Sequence, residues 1–157
     1  EALGVAGEND LSPFVAAQNR LSLLRREAER GIAAACRDRG VGLVPFFPLE
    51  SGMLTGKYRR GEALDAGTRL GKVARLADEA LTDENYAIVE ALAAFSESRG
   101  HTLVELAMSW LAAKPEVVSV IAGAMTPEQV LQNAAAARWR LEADALAEVD
   151  RLSARSG

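Results

Sequence analysis

The chain has 157 residues, 49% hydrophobic and 25% charged, enough for one sizeable core in a single domain. Eighteen Lys and Arg against 22 Asp and Glu leave a net charge of -4, which argues against a general affinity for nucleic acid or an anionic membrane. A single cysteine, Cys36, excludes an internal disulfide, and a single histidine, His101, excludes a multi-histidine metal cage, so a reducing, cytoplasmic setting without metal is expected. No apolar run approaches the ~20 residues of a membrane span, and the first ten residues lack the basic and apolar regions of a signal peptide. A start at Glu1 rather than Met predicts that translation begins elsewhere.

In chain order, Phe14 to Gln18 is a short apolar run after Ser12 and Pro13 and reads as a buried strand. The stretch up to Gly40 places Ala28, Ile32, Ala35 and Cys36 on one face and predicts an amphipathic helix. Val41 to Leu49 is short, apolar and closed by Pro48, a second strand. From Glu50 to Leu81 the periodicity lapses into a Gly, Lys and Arg rich connection, which is functional or disordered at that length. Thr82 is an N-cap candidate for a helix with Ile88, Leu92 and Phe95 inward, ended by Gly100. Thr102 and Glu105 form a capping box for the next helix, which carries Leu106, Trp110 and Leu111 and stops at Lys114 and Pro115. Val117 to Met125 reads as a third strand. Thr126, Pro127 and Gln129 combine an N-cap, a proline at the first helical position and a capping-box glutamine. A last helix, from about Glu142 to Leu152, presents Leu146, Val149 and Leu152.

Strands alternating with helices predict an α/β fold with a parallel sheet. Three strands are few for a free-standing domain, and a (β/α)8 barrel needs eight in about 250 residues, so the pattern reads as part of something larger. In parallel α/β folds ligands gather beyond the carboxyl ends of strands, which here means Gln18 and Asn19, Phe46 to Gly56, and Gly123 to Asn133. The last set is either an anion site at a helix start or an ordinary, well-capped strand-to-helix junction. The second set either stacks a planar ring on Phe46 and Phe47 and neutralises phosphates with Lys57, Arg59, Arg60 and Arg69, or is core aromatics beside a solvated loop. Gln18 and Asn19 either bind a ligand amide or cap a turn. No nucleophile constellation is present; Cys36 and His101 read as structural.

Taken together and in order, FVAAQNRLSLLRREAE, VGLVPFFPLESGMLTGKYRRGE and VSVIAGAMTPEQVLQNAAAA resemble the carboxyl-terminal part of aldo-keto reductases. The likeness is to the branch that includes potassium-channel β-subunits and many bacterial oxidoreductases, and it covers nearly the whole chain. It implies that residues 1–157 are the carboxyl-terminal half of one such domain, with strands six to eight of a (β/α)8 TIM barrel. It also implies reversible carbonyl reduction with NADP(H). By the resemblance, Gln18 meets the nicotinamide carboxamide and Phe46 stacks on the nicotinamide ring. Phe47, Pro48, Leu49, Glu50 and Ser51 lie in the loop along the pyrophosphate, with Lys57 and Arg69 near the phosphates. Gly123, Met125, Gln129, Gln132 and Asn133 match the adenosine end. The chain departs from the family pattern at Phe47 and Met125, where Ser is usual, at Glu50, where a small residue is usual, and at Gln132, where Glu is usual.

The family's catalytic Asp, Tyr, Lys and His belong to the first half of the barrel, and Tyr58 and Tyr86 do not match the tyrosine. By this likeness the chain alone carries no catalytic residue and is inactive. The partners implied are a small carbonyl substrate in the intact protein and either a further copy or the missing amino-terminal half. The alternatives are a non-catalytic nucleotide-binding or interaction module with a reductase-like surface, and a small α/β domain of unrelated role.

Overall fold

The computed structural model describes residues 2–155. Its sheet pairs β1, Ala16–Arg20, in parallel with β2, Gly42–Phe46, in a register running from Ala16 opposite Gly42 to Arg20 opposite Phe46. The first strand lies two residues further along than the Phe14 to Gln18 run. Gly42 N already donates to Val15 O, and beyond it the polar Gln18, Asn19 and Arg20 pair through backbone groups that any side chain supplies. Phe14 and Val15 are left 63% and 79% exposed.

The expected third strand is reduced to two parallel bridges, Leu43 with Val117 and Phe46 with Ile121. Pro45 explains the break. Leu43 N donates to Glu116 O and Val118 N to Leu43 O, but proline has no N–H to continue the ladder, and pairing resumes one residue out of step with Ile121 N donating to Pro45 O. The segment still lies beside β2. The fold is α/β, with β2 flanked by chain on both sides.

Helix α1, Ala2–Glu8, went unanticipated: with two glycines in seven residues it has no apolar stripe. The predicted helix before Gly40 is split at Gly31 into a 3-10 turn, Glu27–Arg30, and α2, Ile32–Arg39. The split turns the inward face to Ala33 and Cys36 and leaves Ile32 and Ala35 exposed. The Glu50 to Leu81 connection is ordered as a 3-10 turn, Glu50–Thr55, then α3, Arg69–Lys72, and α4, Ala74–Ala80.

The carboxyl half follows its caps. Helix α5, Asp83–Glu97, starts at Thr82, whose hydroxyl accepts Asn85 N, and buries Ile88, Leu92 and Phe95. Helix α6, Leu103–Ala112, opens with both hydrogen bonds of the Thr102 and Glu105 capping box and buries Leu106, Trp110 and Leu111. Helices α7, Pro127–Ala136, and α8, Ala143–Leu152, complete the order. Alternation along β2 points Leu43 and Pro45 into the core and leaves Gly42, Val44 and Phe46 half-buried on the other face. Val149 of α8 joins Leu43, Leu92, Leu106 and Trp110 in that core. Among the described residues no helix is long and apolar enough to cross a membrane.

Candidate functional site

Backbone pairing brings the three predicted clusters side by side. Arg20 stands opposite Phe46, and Phe46 is bridged to Ile121, so Gln18 and Asn19, Phe46 to Gly56, and Gly123 to Asn133 lie at the same end of three adjacent segments. Gln18 is exposed at that end. The half-buried rings of Phe46 and Phe47 meet edge to face with centroids 5.4 Å apart.

The turn after β2 has an unusual backbone. Phe47, Glu50 and Ser51 have φ of 56, 44 and 55°, followed by Gly52 at 98°. A non-glycine residue held there costs roughly 1–3 kcal/mol, so the surroundings must enforce it. Pro48 is buried and Leu49 half-buried beneath the turn. The Glu50 side chain turns inward and is 3% exposed. Arg20 Nη2 donates to Glu50 Oε2 at 2.5 Å, Arg20 Nε to Oε1 at 3.2 Å, and Ser22 Oγ to Oε1 at 2.9 Å. Hydrogen bonding to Glu50 raises the Arg20 guanidinium above its ordinary value.

The cations converge on the same turn. Arg69, exposed at the start of α3, places its guanidinium 4.8 Å from the Phe47 ring centroid, and Arg20 lies 5.5 Å from the same ring. Lys57 Nζ is 5.0 Å from the Tyr58 ring and packs against Gly52, where a Cβ would collide with the lysine Cε and Nζ. Tyr58 is buried below, donating to Ser51 O at 3.4 Å and accepting from Leu70 N at 3.5 Å, which ties the turn to α3. Among the described residues, Lys57 and Arg69 have no carboxylate within ion-pair distance. Arg60 is drawn away: it pairs with Asp83 and lies 5.3 Å from the Tyr86 ring.

The third cluster is a loop folded back onto α7. Asn133 Nδ2 donates to Gly123 O at 3.2 Å, and Gln129 Oε1 accepts Met125 N at 2.7 Å. The glutamine thus closes onto the residue before Thr126 rather than onto the N-cap itself, while the Thr126 hydroxyl accepts Gln129 N. Gln132 is exposed and Met125 is 90% exposed. Glu128 sits in the first turn, its carboxyl held below the ordinary 4.5 by its own backbone N–H. A cavity of about 420 Å³ lies behind this loop, between α6, α7 and Val117 to Ala122, and shares Asn133 with the predicted site.

Cys36 lies in the core, where burial pushes its thiol up. His101 stacks on Trp139 with centroids 3.9 Å apart, far along the fold. The residues the sequence reading missed are Arg20 and Ser22. An arginine ending a strand and an unexpected glutamate in a buried turn were the available signals, but nothing in the sequence joined them.

A parallel βαβ unit with a cationic, aromatic turn after its second strand defines an α/β protein, in which the carboxyl ends of the strands are the candidate site. The sequence profile of the Aldo/keto reductase family matches residues 4–154, and the chain belongs to that family. It is 35% identical over 136 residues to a probable voltage-gated potassium channel subunit beta of Arabidopsis thaliana, covering 85% of this chain and 41% of the relative. It is 32% identical over 142 residues to the L-glyceraldehyde 3-phosphate reductase of Escherichia coli O157:H7, covering 88% and 41%. Protein tas of Escherichia coli K12 matches at 32% over 148 residues, 94% of this chain and 42% of that protein. The chain thus spans about two-fifths of the length of these relatives.

Proposed function

We propose that residues 1–157 are the carboxyl-terminal half of an aldo-keto reductase barrel, holding strands six to eight and most of an NADP(H) site. The observation that carries this reading is the turn after β2, where Arg69 lies over Phe47 and Lys57 packs against Gly52, between Gln18 and the Gly123 to Asn133 loop. An exposed carboxamide, half-buried rings and cations with no carboxylate partner among the described residues suit a molecule with an amide, a planar ring and phosphates. In this reading Gln18 holds the nicotinamide carboxamide and Phe46 lies against the ring. The Phe47 to Ser51 turn cradles the pyrophosphate with Lys57 and Arg69. Gly123, Met125, Gln129, Gln132 and Asn133 frame the adenosine. When bound, NADPH supplies the hydride that reduces a small carbonyl substrate.

The proton for the carbonyl oxygen comes from outside this chain. Tyr58 is committed beneath the turn to Ser51 and Leu70, and Tyr86 packs under Arg60. Among the described residues β1 pairs with β2 alone, and Leu11, Phe14 and Val15, which precede it in the chain, are exposed. The other edge of β1 suits association with the amino-terminal half of a barrel or with another copy. The net charge of -4 accords with a cytoplasmic enzyme that binds neither nucleic acid nor membrane.

Titrating NADPH into the complete protein and following its fluorescence tests the reading. Saturable binding with turnover of model aldehydes is expected; no response at roughly millimolar cofactor refutes it. A second reading, a nucleotide-binding module serving another protein, is favoured by the identity to a channel subunit beta. It predicts saturable NADPH binding without reduction of any aldehyde.

A further inference from the structure

Glu50 is the residue by which the phosphate turn departs most from expectation, since a carboxylate beside phosphates repels them. The geometry removes the conflict. Its carboxylate is reached by Arg20, 30 positions away, and Ser22, 28 positions away, and is buried between them. Ser22 Oγ also accepts Leu24 N at 3.2 Å and Arg25 N at 3.1 Å, so its one proton is committed to Glu50. Arg20 offers two parallel donors, a geometry that fixes orientation as well as charge. The same guanidinium lies over the Phe47 ring, so Arg20 touches both ends of the segment from Phe47 to Ser51, at the left-handed residues Phe47 and Glu50.

We infer that Glu50 is a positioning residue: its clamp to Arg20 and Ser22 preforms the Phe47 to Gly52 turn, so the phosphate cradle exists before a dinucleotide arrives. The inference rests on the reading that this turn takes a dinucleotide pyrophosphate. A preformed turn loses less conformational freedom on binding, and its gain is confined to the phosphate end of the ligand. Adenosine 2'-monophosphate, which carries neither phosphate of the pyrophosphate, therefore gains nothing from the clamp.

The test compares wild-type complete protein with Glu50→Gln, which keeps the shape and removes the charge. Glu50→Gln is expected to bind NADPH about tenfold more weakly, to bind adenosine 2'-monophosphate as wild type does, and without ligand to exchange the amides of 47–52 about tenfold faster. Arg20→Lys, which replaces the two guanidinium donors to Glu50 with one and keeps Ser22, gives the same split at smaller size and serves if Glu50→Gln does not fold. Wild-type NADPH affinity in both variants overturns the inference while the cofactor reading stands. Equal loss of both ligands with a lowered melting temperature overturns it too, because the pair then supports the fold as a whole. Failure of the wild-type protein to bind NADPH removes the cofactor reading and this inference with it.

Discussion

The helical layer of α5, α6 and α8 and the connection from Phe47 to Lys72 are held by different means. In the layer each turn is fixed by neighbours in sequence: caps at Thr82 and Thr102, then apolar side chains three and four apart meeting in one core. In the connection the backbone takes positions it would avoid alone, and the groups that enforce them come from β1 and from Tyr58. Local rules build the platform, and long-range polar contacts build the site. The two regions should therefore respond separately to substitution.

The largest expected effect is in the layer. Trp110 is 1% exposed, donates Nε1 to Asp150 Oδ1 at 3.0 Å, and lies beneath Arg26 and Lys114. Trp110→Ala should cost about 3–5 kcal/mol in urea unfolding. A loss below ~1 kcal/mol would mean that the layer is not where the stability resides.

Next comes the joint between turn and α3. A Cβ at Gly71 would run into the backbone carbonyl of Asp65, so Gly71→Ala should cost about 1–3 kcal/mol and displace Arg69. NADPH affinity should fall further than the melting temperature accounts for; a parallel fall would erase the distinction between the regions.

Thr102→Ala should cost about 1 kcal/mol, the usual value of a lost N-cap. The backbone amide of Thr102 holds the Glu105 carboxyl below its ordinary 4.5. A group lowered in the fold stabilises above its unfolded value and ceases to do so as pH falls through the folded one. The melting-temperature gap between wild type and Glu105→Gln should thus be open at neutral pH and closed at pH values below the lowered folded one. A gap that persists there would show that Glu105 acts by packing.

Smallest is Phe47→Gly. Release of a left-handed residue at φ 56° offsets the loss of contact with Arg20 and Arg69, so stability should change by less than about 0.5 kcal/mol. Weaker NADPH binding at that near-constant stability would separate site from scaffold most cleanly, and unchanged binding would remove Phe47 from the site.

The same contrast explains what could be read before folding. Thr82, Thr102 with Glu105, and Thr126 with Pro127 announce helices because capping needs residues within one turn. Helices α3 and α4, at four and seven residues, are too short for a period to register, and α1, with two glycines in seven residues, has no apolar stripe. The third strand failed on one atom, the missing hydrogen of Pro45, although Pro45 was in plain view. Of the site, the order of the clusters was legible from strand ends. The partner of Glu50 was not, because residues 28 and 30 positions apart are joined by sheet register alone.

Cys36 has a practical use. The residue is 4% exposed on the inner face of α2, and burial keeps the thiolate scarce. As the sequence has no other cysteine, the speed at which a maleimide or disulfide reagent reacts becomes a stopwatch for how often α2 lifts off the sheet, with no label engineered in.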